Sequence, residues 1–447
     1  MTAHEAESNT AGTPPTELDE RANTDLEKEA PGRSSSESSP GPRPTTSQRE
    51  PPNGGVRAWL VVVGATASQI CTFGYIQSFG IYEQYYQANQ LKHETPSNIS
   101  WIGSLQLCLL FLLGMVSGPL FDRYGARVVL IPSSIIMVFS AMMTSLCKEY
   151  YQFILAQGIL SGFASGMIFT PVVSAVGQYF TTRRALAMGT VVSGSSLGGV
   201  IFPAALNRLF NNSTVGFGWA QRIVGFIMLP LLIFTCLTVK EFSPHRQGAI
   251  FLPKAFKSGP YIFANIGFFT TLLGMYTPIF FLVTYAVSHG ASVPMAMYMV
   301  CILNAASFIG RTSSGYFADK FGRYNAMVVS TIAAAILEFC WIATHNNAGI
   351  IMFAIVFGVL TGAVVSLYSP CIAEVTPNRS DIGTYLGMGM AFSSLAGLTG
   401  SPINGAMIEH YGDYWQAAVF SGMMTVAGAI ANTIARFWLD KRVFVKV

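Results

Sequence analysis

Charge is scarce in this chain. Of its 447 residues only 11% are Asp, Glu, Lys or Arg, while 51% are hydrophobic. Soluble domains carry about 25% charged residues, so a water-facing surface over most of the sequence is excluded and a lipid-facing one is implied. The seven cysteines, Cys71, Cys108, Cys147, Cys236, Cys301, Cys340 and Cys371, are dispersed. No CxxC or Cys/His cluster occurs, so neither a zinc site nor a disulfide framework follows; they read as small apolar packing residues. The net charge of +4 is scattered, which gives a nucleic-acid partner no support. There is no GxxxxGKS or GxxxxGKT loop, so ATP does not drive this chain at the motif level. The loops are too short for a catalytic domain. Neither an enzyme, a metal nor a cofactor is expected.

Residues 1–52 hold no apolar run and are rich in Ser, Pro, Thr, Glu and Gly. Such a stretch buries too little apolar area to offset its ordering entropy and reads as a disordered tail. It lacks the hydrophobic core of a secretory signal and is too acidic for a transit peptide. The first membrane helix is therefore expected to serve as the insertion signal.

What is abundant is apolar segments of about 20 residues, the length that crosses a bilayer. Twelve qualify, roughly 58–81, 98–120, 127–147, 152–175, 185–207, 220–239, 261–287, 294–317, 325–344, 348–372, 383–408 and 414–438. The fifth and eleventh are the weakest, being rich in Gly and Ser, residues common where membrane helices pack closely. With a cytoplasmic N-terminus, the inner loops hold Arg123, Arg127, Arg183, Arg184, Lys240, Arg246, Lys254, Lys257, Lys320, Arg323 and Arg379. The outer side holds Lys92, Lys148, Arg208 and Arg222. That excess places both ends in the cytoplasm and requires an even number of spans. The expected layout is an all-α membrane protein of two pseudo-symmetric six-helix bundles, 53–240 and 261–440. A cytoplasmic linker at 241–260 joins them, and a short tail follows at 441–447.

The halves overlay. Gly118-Pro119-Leu120-Phe121-Asp122-Arg123-Tyr124-Gly125 recurs as Gly315-Tyr316-Phe317-Ala318-Asp319-Lys320-Phe321-Gly322, 197 residues further on. Gly189, Ser195, Ser196, Leu197 and Gly199 recur as Gly387, Ser393, Ser394, Leu395 and Gly397, displaced by 198. Two echoes at nearly one displacement indicate duplication of a six-helix unit. An Asp at the end of a span can accept from backbone N–H groups at a nearby helix start, where the dipole favours an anion. The adjacent base can pair with a carboxylate or carbonyl next door. One such loop reads as ordinary interfacial charge; two in register read as a latch on the cytoplasmic side. Its candidate gating residues are Asp122, Arg123, Arg127, Arg183, Arg184, Asp319, Lys320 and Arg323.

The loop pair resembles the signature of the major facilitator superfamily. Asn53-Gly54-Gly55-Val56-Arg57-Ala58-Trp59 is similar to the acidic-Gly-Gly-x-x-x-Trp lead-in of its monocarboxylate-porter-like members, with Asn in the acidic place. Tyr179-Phe180-Thr181-Thr182-Arg183-Arg184-Ala185-Leu186-Ala187-Met188-Gly189, continuing to Ser193-Gly194, resembles their second signature. Asn304-Ala305-Ala306-Ser307-Phe308-Ile309-Gly310-Arg311, with Ala318 to Arg323, resembles the form common in fungal members. The resemblance covers 53–440. It implies a secondary transporter that exposes a midplane site to either side in turn. Animal monocarboxylate carriers have a Lys where this chain has Gln77 and an Asp where it has Ser307; only their Arg remains, as Arg311. Two neutral replacements among three coupling groups speak against lactate-type proton symport.

Charges inside a bilayer are costly and mark candidate sites. Arg311 can meet an anionic or carbonyl-rich substrate through paired hydrogen bonds, or tie backbone carbonyls structurally. Glu338 is a candidate protonatable group on a span expected to be peripheral, and Glu374 reads as interfacial. Tyr75, Gln77, Tyr276, Tyr285, Asn304, Ser307 and Tyr368 offer aromatic walls with a few hydrogen-bonding groups. These suit a medium-sized, partly apolar organic molecule, although each alone is also ordinary packing. Gly274, Pro278, Pro171 and Pro203 are candidate bending points. Asn211 and Asn212 lie in glycosylation sequons of an outer loop. The expected function is efflux of a secondary metabolite or organic acid across the plasma membrane, with a proton as candidate co- or counter-ion. Uptake of a monocarboxylate or a vitamin such as riboflavin is the alternative, and a non-transporting sensor a further one.

Overall fold

The computed structural model describes residues 52–210, 216–242 and 252–442. Twelve helical rods fill these residues: α1 (Val56–Ala88), α2 (Asn98–Tyr124), α3 (Ala126–Thr144), α4 (Tyr150–Tyr179), α5 (Arg184–Phe210), α6 (Gly216–Thr238), α7 (Gly259–Ser288), α8 (Val293–Phe321), α9 (Arg323–Trp341), α10 (Asn347–Val375), α11 (Ile382–Tyr411) and α12 (Trp415–Leu439). No strand occurs among the described residues. Helices are what a lipid environment selects, because each backbone group finds its partner within its own segment. Ten of the rods are long and apolar enough to span a membrane. Counted over the described residues alone, α8 and α11 are not among them. Of the two spans expected to be weakest, α5 qualifies and α11 does not. Asn304, Arg311, Asp319 and Lys320 all sit on α8.

The reason these two rods tolerate polarity is their neighbours. Within the first six rods α1 packs on α5 and α6, and α3 on α4 and α6; within the last six α7 packs on α12 and α11, and α9 on α12 and α10. Across the two sets, α8 packs on α5 and α11 packs on α2. The outer surface instead carries apolar side chains such as Val128, Ile135, Phe226, Leu237, Val329 and Ile430, all largely exposed, as lipid requires.

Small residues let the cross-set pairs approach. A Cβ on Gly387 would run into the carbonyl of Gly114, and one on Gly118 into that of Gly383, both between α2 and α11. In the matching place between α5 and α8, a Cβ on Gly189 would lie 2.7 Å from the Arg311 carbonyl, and one on Gly315 2.6 Å from that of Ala185. Overpacking such a contact costs about 1–3 kcal/mol. Gly387→Val is therefore expected to push α2 and α11 apart and lower the melting temperature of the purified protein; an unchanged melting curve and unchanged transport would contradict the close approach.

The rods are not uniform. A π-helical turn occupies Ile70–Gly74 in α1 and a longer one Ile154–Ser161 in α4; neither is signalled by Pro. Pro171, Pro203 and Pro278 do lie inside helices. Of the linker, Pro253–Lys257 forms a 3-10 turn before α7. Residues 1–51, 243–251 and 443–447, and with them the expected tails, lie outside the described residues, as do Asn211 and Asn212.

Candidate functional site

Antiparallel succession brings the end of α2, the start of α5, the end of α8 and the start of α11 to one end of the molecule. There Asp122 accepts from the Gly383 and Thr384 amides at 3.2 and 2.6 Å and from the Thr384 hydroxyl at 2.7 Å. Asp319 accepts from the Ala185 and Leu186 amides at 3.0 and 2.8 Å. Each carboxylate of one repeat thus caps the first turn of the helix that packs across from it, α11 or α5. A helix start presents unpaired N–H groups and a positive dipole end, so the chemistry is complementary, and it occurs twice with the repeat's own spacing.

The bases distribute differently from the expectation that the residue beside each Asp makes the second contact. Arg123 lies exposed over the Tyr124 ring and Lys320 over the Phe321 ring; Arg127 and Arg183 are exposed as well. The pairing bases are Arg184 and Arg323. Arg184 donates to the Phe180 and Ala373 carbonyls, each at 3.0 Å. Arg323 donates to the Thr181 carbonyl at 2.7 Å, pairs with Glu374 and lies 3.7 Å from Asp319. An exposed base next to the Asp stays in water, whereas these two start helices and point inward along the seam. Glu374, read as merely interfacial, is thereby part of the network.

Sequence reasoning missed the role of Asn53. Its backbone takes φ 52°, and its side-chain oxygen accepts from the Thr181 amide at 2.5 Å, the Thr181 hydroxyl at 2.6 Å and the Thr182 amide at 3.2 Å. The chain leading into α1 is so fastened to the turn that precedes α5. Neutral donors need no charged acceptor, which explains why Asn serves in the acidic place.

Midway along the rods, Arg311 is buried. Its guanidinium donates to the Ser307 hydroxyl one turn back at 3.2 Å, to the Val192 carbonyl at 2.8 Å and to the Ser195 hydroxyl, the last two on α5. The Phe73 ring lies 5.8 Å from it, and Tyr276 faces it from α7. Gln77 donates to the Ser195 carbonyl at 3.2 Å. Gln77 and Arg311 therefore meet at Ser195, and Ser307 and Tyr276 join them through Arg311. No carboxylate pairs with Arg311 among the described residues. In the first repeat the position 197 residues earlier is Gly114, so this charge breaks the internal symmetry.

The other expected cavity residues are placed elsewhere. Tyr75 accepts from Gln221 at 3.0 Å, and Gln221 accepts from Tyr82 at 2.6 Å, a network inside the first six rods. Tyr368 donates to Asn265 at 2.7 Å and stacks on Phe268 at 3.8 Å. Asn304 donates to the Val300 carbonyl at 3.1 Å and lies against Gly199 of α5. Tyr285 donates to the Thr344 carbonyl at 2.7 Å, at the far end of α7. Gln69 in α1 went unnoticed: it is fully buried, and neither of its amide atoms has a partner. Its sequence surroundings carry no sign of this.

The chain belongs to the Major Facilitator Superfamily, whose family model matches residues 58–314 and 264–446; it is a multi-pass membrane transporter of that class. It is 45% identical over 388 residues to the aspyridones efflux protein apdF of Emericella nidulans, covering 87% of this chain and 79% of that one. Similarity to the agnestins efflux protein AgnL12 of Paecilomyces divaricatus is 39% over 419 residues, covering 92% and 94%. Among solved structures, the fold matches the proton:xylose symporter XylE with a TM-score of 0.70 at 14% identity, over 86% of this chain and 96% of that one. It matches the human organic anion transporter MFSD10 with a TM-score of 0.66 at 13% identity, over 85% and 98%.

Proposed function

We propose that the protein exports an organic secondary metabolite bearing a carboxylate or a carbonyl-rich face, by alternating access between halves 53–240 and 261–440. The observation that carries this reading is the buried Arg311 guanidinium with no carboxylate partner. A buried cation of that kind is costly unless an anion or several acceptors meet it, and a bidentate fork suits a carboxylate or paired carbonyls. The efflux relatives support the direction. Neutral Gln77 and Ser307 favour export of such a molecule over lactate-type uptake. In the cycle, the Asp122 and Asp319 caps hold one end shut, and opening that end breaks them while Arg311 leaves α5. The Lys/Arg excess on that side supports a cytoplasmic position for it and for both termini, and the plasma membrane is the proposed location. A proton gradient is the proposed drive.

The test is export from loaded yeast cells expressing the chain, using a panel of aromatic carboxylic acids, their methyl esters and cyclic diketones, with and without a protonophore. Acids or diketones are expected to leave faster than from control cells, and the protonophore to abolish the difference. Equal export of the methyl esters would sink the charge-recognition reading, and net uptake would sink the direction.

A further inference from the structure

The second half contains a carboxyl group that the cycle above does not use. Glu338 on α9 is fully buried, and neither of its oxygens has a hydrogen-bond partner. The polar group facing it is the buried Thr425 hydroxyl of α12, near enough to interact with the carboxyl but not within ordinary hydrogen-bond distance of it. From α7, Gly274 stands behind that hydroxyl, a Cβ there lying 2.6 Å from it. One turn along α9, Trp341 is ringed by Tyr285 of α7 and Phe353 of α10. No charged side chain of α7, α8, α10 or α12 bears on Glu338 among the described residues; on α8, Arg311 is committed to α5, and Arg436 of α12 bonds Asn325 at the latch end.

We propose that Glu338 is a proton-binding site, loaded from the end opposite the latches, whose ionisation rearranges α7 against α12. An ionised carboxylate with no partner in such surroundings is strongly disfavoured, so in the latched conformation the group holds its proton. Glu338 lies three residues before the end of α9 at Trp341, about 5 Å along the axis, which makes the way to water short at that end. On release, the carboxyl O–H bond breaks, the proton passes to water, and the carboxylate is left to accept from Thr425. Turning that hydroxyl disturbs its packing on Gly274. Two residues on, Tyr276 faces Arg311, and next to it Thr277 accepts from the Ser421 hydroxyl of α12 at 2.6 Å. Thr425 and Arg311 therefore meet the same stretch of α7, at Gly274 and Tyr276, and the bend expected at Gly274 and Pro278 falls on that stretch. The rearrangement rests on the alternating-access reading; the proton site does not.

The test needs no substrate, so an error in the substrate or direction proposed above leaves it intact. Full-length protein in lipid nanodiscs is titrated from neutral to alkaline pH while its infrared protonated-carboxyl band is followed. In parallel, the distance between spin labels at Arg127→Cys and Lys320→Cys is measured. Wild type is expected to lose part of the band and to lengthen the label distance at a common midpoint. Glu338→Gln, which keeps the volume, is expected to lack that part of the band and to show a flat distance profile. Thr425→Val, which removes the hydroxyl able to donate to the ionised form, moves the midpoint to higher pH. The proposal is overturned if Glu338→Gln retains the wild-type band change, if its label distance keeps the wild-type pH dependence, or if Thr425→Val leaves the midpoint where it was.

Discussion

Replacing Arg311 by Ala is expected to lower export at least tenfold while the protein still reaches the membrane. A single hydrogen bond from a charged group is worth about 1.5–3 kcal/mol, and 1.4 kcal/mol is about tenfold in an equilibrium constant. Arg311 makes three such contacts in the latched conformation, and the two to α5 become available to a ligand once α5 withdraws. Two further variants separate holding from binding. Arg311→Lys keeps the charge but loses the planar fork, and is expected to recover only a small part of the activity. Ser195→Ala removes one tie to α5 without touching the charge. It is expected to retain most of the export and to favour conformations in which α5 and α8 have parted. Wild-type transport by Arg311→Ala, with normal membrane localisation, would remove the residue from the site.

The second large effect concerns the two carboxylates. In Asp122→Asn one of the two accepting oxygens becomes an NH2 group, which then faces either the Gly383 N–H or the two Thr384 donors, and the charge at the helix start is lost. The loss of a charged cap at a helix start costs about 1–2 kcal/mol, and Asp319→Asn loses a comparable amount at α5. Combined, the pair amounts to about 2–4 kcal/mol, or roughly 30- to 1,000-fold in the balance between latched and open states. Spin-label distances across that end should lengthen in the double variant and take intermediate distributions in the single ones. Maximal transport should fall while the ranking of substrates stays the same. A changed ranking with unchanged turnover would mean that these groups touch the cargo rather than the closure.

Much of this was legible beforehand, and for a physical reason. Crossing a bilayer imposes a length and an apolarity that recur along the chain, so all twelve rods fall within a few residues of the segments read from hydrophobicity, apart from the lengthened α1. The cap was legible because the Gly-x-x-x-Asp pattern recurs in register, and a shared geometric task explains a carboxylate kept in both halves. The contacts that stayed hidden depend on direction rather than spacing. Arg123 and Arg184 look alike in a sequence, yet one points along the surface and the other into the seam between α5 and α10. Tyr75 and Tyr368 looked like cavity walls, but each found a partner on another rod of its own set, Gln221 and Asn265, far away in sequence. The π-helical turns at Ile70–Gly74 and Ile154–Ser161 carry no Pro or other residue signature.

Finally, the partners of Asp122 and Asp319 are mostly main-chain amides. A closure built that way reads the course of the backbone and is blind to what the partner residues carry. Position 186 can drift, provided that the chains still come close and that proline, which has no N–H to give, stays away; at 383 glycine is held by packing, because a Cβ there would lie 2.6 Å from Asp122 itself. Two sister copies of an ancestral bundle could therefore rewrite side chains along their shared rim, the small residues at the close approaches apart, and still shut against each other.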